Sequence, residues 1–163
     1  GRTALNVSNN VFYSSTTGAA LALAAMGIPM SYYTGINNNI FYTLRTDGKI
    51  ASSYESGVTT YKTVATLNAL DNAESNIGTN PQFTDISYGL GANSSLNDLS
   101  LSANSPGLNK GTDLSAYFTA DYLGNTRQTP WDIGAYQSSQ KPSAPRNLRF
   151  TNLNTSEMTW QNF

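Results

Sequence analysis

The reactive side chains of this sequence are limited in kind, and their spacing says which chemistry is left. It contains no His and no Cys. The commonest general base, the commonest zinc ligand and every thiolate nucleophile are therefore absent. Asp71 and Glu74 stand three residues apart, which places two carboxylates on one helix face. Acid–base work and plain solvation are both open to such a pair. Arg45, Lys49 and Lys62 are the basic residues near the strand-like repeats. Proton abstraction by a base is open to them, and a solvated surface cation is the plainer reading. Asp121 and Asp132, with backbone oxygens, offer the hard ligands that calcium takes, but no dense run of Asp accompanies them. Recognition is assigned to Tyr32, Tyr33, Tyr54 and Tyr61, whose rings can stack on sugars or fill partly buried positions between strands. No catalytic residue and no metal ligand is assigned.

These residues need a scaffold, and the sequence supplies one by repetition. Ser8-Asn9-Asn10-Val11-Phe12-Tyr13-Ser14 returns as Asn37-Asn38-Asn39-Ile40-Phe41-Tyr42-Thr43. A repeat of this period with a strand in each unit predicts a solenoid. Amides at equivalent turns can pass hydrogen bonds between strands about 4.8 Å apart, with Val11 stacked on Ile40 and Phe12 on Phe41. Two strands of a sandwich sharing a composition are the alternative. Between the copies, the Ala- and Leu-rich residues 19–26 predict a short helix ended by Gly27 and Pro29. A second short surface helix is expected over 63–73, with Thr63 as N-cap and Val64, Leu67 and Leu70 at helical spacing. From Asn80 onward turn signals dominate, and residues 138–145 read as a linker broken by Pro142 and Pro145.

Composition excludes several classes of function. Charged residues make up 12% of the 163 residues, about half the usual share, and Asn, Ser and Thr supply about a third of the chain. Ten Tyr, six Phe and two Trp are too many large apolar groups for a disordered chain. Nine basic against ten acidic residues, with no basic block, leave no footprint for nucleic acid. No apolar run reaches the roughly 18–20 residues of a membrane span.

Five elements then appear in order. They are Asn80-Pro81-Gln82-Phe83, Asp98-Leu99-Ser100-Leu101, Ser105-Pro106-Gly107-Leu108-Asn109-Lys110-Gly111, Asp121-Tyr122-Leu123-Gly124-Asn125-Thr126-Arg127 and Asp132-Ile133-Gly134-Ala135-Tyr136. Together they resemble the C-terminal closing segment of right-handed parallel β-helix, pectate lyase-like proteins, and the resemblance covers residues 5–137. Asn109 and Gln137 stand where that pattern has Asp and Glu. Pro142 to Phe150, followed by Glu157-Met158-Thr159-Trp160, resembles the opening of a fibronectin type III module.

The resemblance implies an all-β fold: parallel β-helix end coils with a C-terminal cap over residues 1–137, the linker 138–145, and a truncated fibronectin type III-like start over 146–163. It implies a fragment of a secreted or cell-surface bacterial protein that acts on or binds polysaccharide or a cell-surface glycan. The remaining parent chain would lie upstream and downstream. The fragment itself is expected to be non-catalytic, because β-helix clefts run along middle coils. The parent would be a lyase or glycoside hydrolase, with Ca²⁺ as a potential cofactor of that parent and none in the fragment. The alternative is a non-enzymatic adhesive or filament-forming surface protein with a β-helix stalk.

Overall fold

The computed structural model describes residues 5–14, 23–25, 32–55, 58–89, 95 and 97–138. Ten short strands and one helical turn occur in the order β1 (Leu5–Ser8), β2 (Val11–Ser14), β3 (Leu23–Ala25), β4 (Tyr33–Asn37), β5 (Ile40–Thr43), β6 (Ala51–Glu55), β7 (Val58–Lys62), α1 (Val64–Leu67), β8 (Ala73–Glu74), β9 (Phe83–Asp85) and β10 (Asp98–Leu101). They form four small sheets, ordered β1-β4-β8, β2-β5, β3-β6-β7 and β9-β10. This overturns the expected right-handed parallel β-helix. Parallel pairing reaches three strands in one sheet only, β7 returns antiparallel on β6, and β9 and β10 pair antiparallel.

Parallel pairing does join the two copies of the repeat. Val11, Phe12, Tyr13 and Ser14 face Ile40, Phe41, Tyr42 and Thr43 in register. The rings of Phe12 and Phe41 stack at 4.9 Å with planes 7° apart, and those of Tyr13 and Tyr42 lie 5.2 Å apart. Between β1 and β2 the chain turns through Asn9 at φ 60°, and between β4 and β5 through Asn38 at φ 55°. Asn tolerates this left-handed conformation better than most residues. A third turn has the same form: Ser75 at φ 56° follows β8, then Asn76, then Ile77 bridging Ile40 in parallel.

The residue after each left-handed turn builds a ladder. Asn10 donates its backbone N–H and its Nδ2 to Asn39 Oδ1, at 2.9 and 3.1 Å. Asn39 does the same to Asn76 Oδ1, at 3.1 and 3.0 Å. Asn76 ends the series on Asn68 Oδ1, at 3.2 and 2.8 Å.

Both helix expectations needed correction. Leu23–Ala25, inside the Ala-rich run, is a strand paired in parallel with β6, because edge pairing outweighs a weak helix preference. The helix expected over 63–73 is a single turn. Thr63 does cap it, its hydroxyl accepting from Thr66 N. The turn ends at Asn68, whose side chain is committed to Asn76.

Strand β5 is buried on both faces. Phe41 joins Tyr33, Ile36, Ile50, Ala51, Leu67 and Ala73 in the core. Ile40 points the other way and is covered by the C-terminal segment: a Cβ on Gly107 would sit 2.8 Å from Ile40 Cδ1. That segment is pinned across the layers. Asn9 exchanges two bonds with Thr112, Asn38 Nδ2 donates to Lys110 O, and Gly134 N donates to Asn9 O. Residues expected to close one end of a stack therefore lie along its flank. Removing the fully buried ring with Phe41→Ala should cost about 3–5 kcal/mol. Chemical denaturation checks this, and a midpoint equal to wild type would place the ring outside the core.

Candidate functional site

The flank placement leaves a groove of about 990 Å³. Its walls come from three places: Val11 and Phe12 of β2, Leu99 and Leu101 of β10, and Phe118, Tyr122 and Tyr136 of the C-terminal segment. Tyr122 is 77% exposed and meets Tyr136 edge-on at 5.8 Å. Phe118 is half exposed and packs on the buried Trp131 at 5.2 Å. Asn10 and Asn97 add amides to the rim.

Two charged residues border the groove, and both are consumed by the fold. Arg127 is 8% exposed and inserts beside the rings of Trp131 and Phe118, at 5.1 and 5.9 Å. Its Nη2 donates to Gly134 O at 2.7 Å and Nη1 to Asp132 O at 3.4 Å. Burial pushes its pKa down, against the opposing pull of Asp121 and Asp132. Its Nε–H is buried without an acceptor. Asp121 takes bonds from Leu123 N, Asn125 N, Asn125 Nδ2 and Gln137 N. Burial pushes its carboxyl up, yet the bonds from Gln137, Asn125 and Leu123 together outweigh that and hold it below the ordinary carboxylate range.

The calcium reading of Asp121 and Asp132 loses its ligands for the same reason. Asp132 is fully buried and accepts from Asn109 N at 2.7 Å and from Ser138 N and Oγ. Lone pairs that a cation would need are occupied by backbone donors. Among the described residues no three or more His, Cys, Asp or Glu side chains come together as a metal-holding group. No helix among them is long and apolar enough to cross a membrane.

The four tyrosines assigned from sequence do not form one platform. Tyr33 is 6% exposed and belongs to the core. Tyr32 precedes β4 and is 39% exposed, while Tyr61 sits on β7, half exposed beneath Lys49 Nζ at 5.0 Å. Tyr54 lies on β6, and its side chain is outside the described residues. Arg45 and Lys49 both pair with Asp47, at 2.6 and 3.3 Å. The Arg45 hydrogen bond holds Asp47 well below the usual range. Asp71 and Glu74 share no helix, since α1 stops before them and Glu74 belongs to β8.

Sequence reasoning missed Phe118, Tyr122 and Tyr136. The signal was present as aromatics set among turn residues without strand alternation, where no strand packing would bury them. The linker and the fibronectin-like start fall on residues 139–163, outside the described residues. No protein-family model matches the chain, and no significant match exists among curated proteins or solved structures.

Because folding lowers the Asp121 pKa, the unfolded chain binds its proton more readily. The stability it adds is complete above the unfolded value of about 4 and is lost as pH falls through the folded value. Asp121→Asn should cost about 1–3 kcal/mol at neutral pH and make the acid limb of the stability curve shallower. Urea midpoints across the acid range check both, and parallel acid limbs would contradict the assignment.

Proposed function

We propose that this chain binds neutral polysaccharide without turning it over, as part of a secreted or cell-surface protein. The groove beside β2 carries the reading. Its volume stands at the upper end of ordinary ligand sites. Exposed Tyr122 offers a ring face for the C–H surface of a pyranose, with Phe118 and Tyr136 alongside. Asn10 Oδ1 can accept from a hydroxyl group, while Asn10 Nδ2 already donates to Ser8 O and Asn39 Oδ1, and the Asn97 amide is bonded to Gly89 O and Tyr88 N.

Charge decides which glycan. Arg127, the cation bordering the groove, is already bonded to two carbonyls, so a uronate carboxylate meets no available guanidinium there. A neutral chain such as xylan or a glucan loses nothing by this. The same accounting speaks for binding rather than cleavage. Glycoside hydrolysis needs two carboxylates flanking the bond, whereas Asp121 is committed to backbone donors.

Titration calorimetry with xylan- and glucan-derived oligosaccharides should give saturable binding, weakened at least about tenfold, roughly 1.4 kcal/mol, by Tyr122→Ala. Thermal stability of that variant should match wild type, since the ring is mostly exposed. Pectin and alginate oligosaccharides should bind more weakly. Incubation with each polymer, with and without Ca²⁺, should release neither reducing ends nor unsaturated uronates. Binding indifferent to Tyr122→Ala overturns the site, and reproducible product release overturns the non-catalytic reading.

A further inference from the structure

Asp47-Gly48 is the one place in the sequence where an aspartate precedes glycine, and no asparagine does so. The other aspartates precede Asn, Ile, Leu or Tyr. An aspartyl carboxyl is open to attack by the backbone nitrogen of the next residue. Glycine, with no Cβ, leaves that nitrogen least hindered. The attack is far slower on an ionised carboxylate, because the departing oxygen must leave as water. In the turn between β5 and β6 both reacting groups are held in other bonds. Arg45 forks onto the Asp47 carboxylate, Nε to Oδ1 at 2.8 Å and Nη2 to Oδ2 at 2.6 Å. Lys49 adds its backbone N–H to Oδ1 at 3.2 Å and its Nζ to Oδ2 at 3.3 Å. These bonds favour the ionised form, the Arg45 fork foremost. Gly48 sits at φ 62°, and its N–H donates to Arg45 O at 3.2 Å.

We propose that Asp47-Gly48 is a modification site, a succinimide-forming step that the Arg45 fork holds in check. When the fork opens and the carboxyl gains a proton, Gly48 N attacks Asp47 Cγ. The N–Cγ bond forms, the Gly48 N–H proton and the carboxyl O–H leave together as water, and a five-membered imide closes. Water then reopens the ring. Attack at Cγ restores Asp47. Attack at the main-chain carbonyl leaves the chain running through Cβ and Cγ, an isoaspartyl link. No oxidant and no co-reactant other than water takes part. The isoaspartyl form puts one more carbon into the backbone of the turn and moves the carboxylate onto Cα, away from the fork. The effect runs inward, because Ile50 and Ala51 are buried and Ile50 N is bonded to Lys62 O at 2.9 Å. A lengthened turn pulls on that bond and loosens the start of β6. Arg45, Asp47 and Lys49 lie outside the lining of the glycan groove, so the two readings stand or fall separately.

The test compares the full chain, its Arg45→Gln variant and a free peptide of residues 43–51, each incubated near neutral pH in water enriched in heavy oxygen. Every closure and reopening of the imide exchanges an oxygen, which mass spectrometry of the digested chain reads. Isoaspartate is counted in parallel by methylation with an isoaspartyl methyltransferase. The wild-type chain should take up label at Asp47 at least about tenfold more slowly than the peptide, and Arg45→Gln should close most of that gap. Label should spare Asp71 and Asp85, whose following residues carry side chains. Arg45→Lys keeps a cation without the fork and should fall between wild type and Arg45→Gln. If Arg45→Gln melts below wild type, Arg45→Lys decides in its place. A wild-type chain that labels as fast as the peptide, or an Arg45 variant that labels no faster than wild type, overturns the proposal.

Discussion

The amide of Asn39 is fully buried, and each of its polar atoms is bonded. Its Oδ1 takes two donors from Asn10, and its Nδ2 reaches Val7 O, Asn37 O and Asn76 Oδ1. A buried amide left half-paired costs about 1–3 kcal/mol per orphaned group, so Asn39 tolerates one relative position of the layers above and below. That constraint propagates. With Asn10, Asn39 and Asn76 locked, Phe12 must lie over Phe41 and Val11 over Ile40, because a one-residue slip would turn every side chain to the opposite face. Apolar contacts supply most of the stabilisation here, and the ladder selects which contacts form.

Two-sided burial of β5 follows from that register. Phe41 faces the core and Ile40 faces outward, which would expose a large apolar surface unless something covered it. The C-terminal segment does so, and the same turns that carry the ladder hold it. Asn9 and Asn38 use their left-handed backbone to aim side chains at Thr112 and Lys110. Where that segment arches over β2, it leaves room between Phe118, Tyr122 and the strand. The groove is thus a by-product of how the flank is covered, and its aromatic character reflects residues with no strand partner to pack against.

Much of the local arrangement was legible in the sequence, and the reasons it stopped being so are physical. The repeat at Asn10 and Asn39 announced both an amide contact and an aromatic stack, since both depend on residue type at equivalent positions. The third turn, Ser75-Asn76-Ile77, was overlooked because its flanking strand is two residues long and carries Ala73 in place of a larger side chain. Spacing also changes there from 29 to 37 residues, hiding the period. The global architecture was misjudged because a repeated turn fixes neighbouring layers and says nothing of how many exist. Antiparallel return of β7 on β6 had no signature beyond alternation, and Tyr33 was taken for a binding ring when its strand position turns it inward.

Electrostatics explain why the groove carries aromatics and amides instead of ionised groups. Arg127 and Asp121 are the charged residues that line the groove, and both are spent on backbone. Asp121 gathers the N–H groups of its own turn and of Gln137, while Arg127 closes over the carbonyls of Asp132 and Gly134 between two rings. Each offsets its loss of hydration through main-chain partners, and together they fix the path of residues 121–137 without a direct ion pair between them. A turn-rich segment with little regular structure needs such ties, because it has few ladder bonds of its own. The side chains that line the groove and face solvent are then neutral ones, the ring of Tyr122 foremost among them.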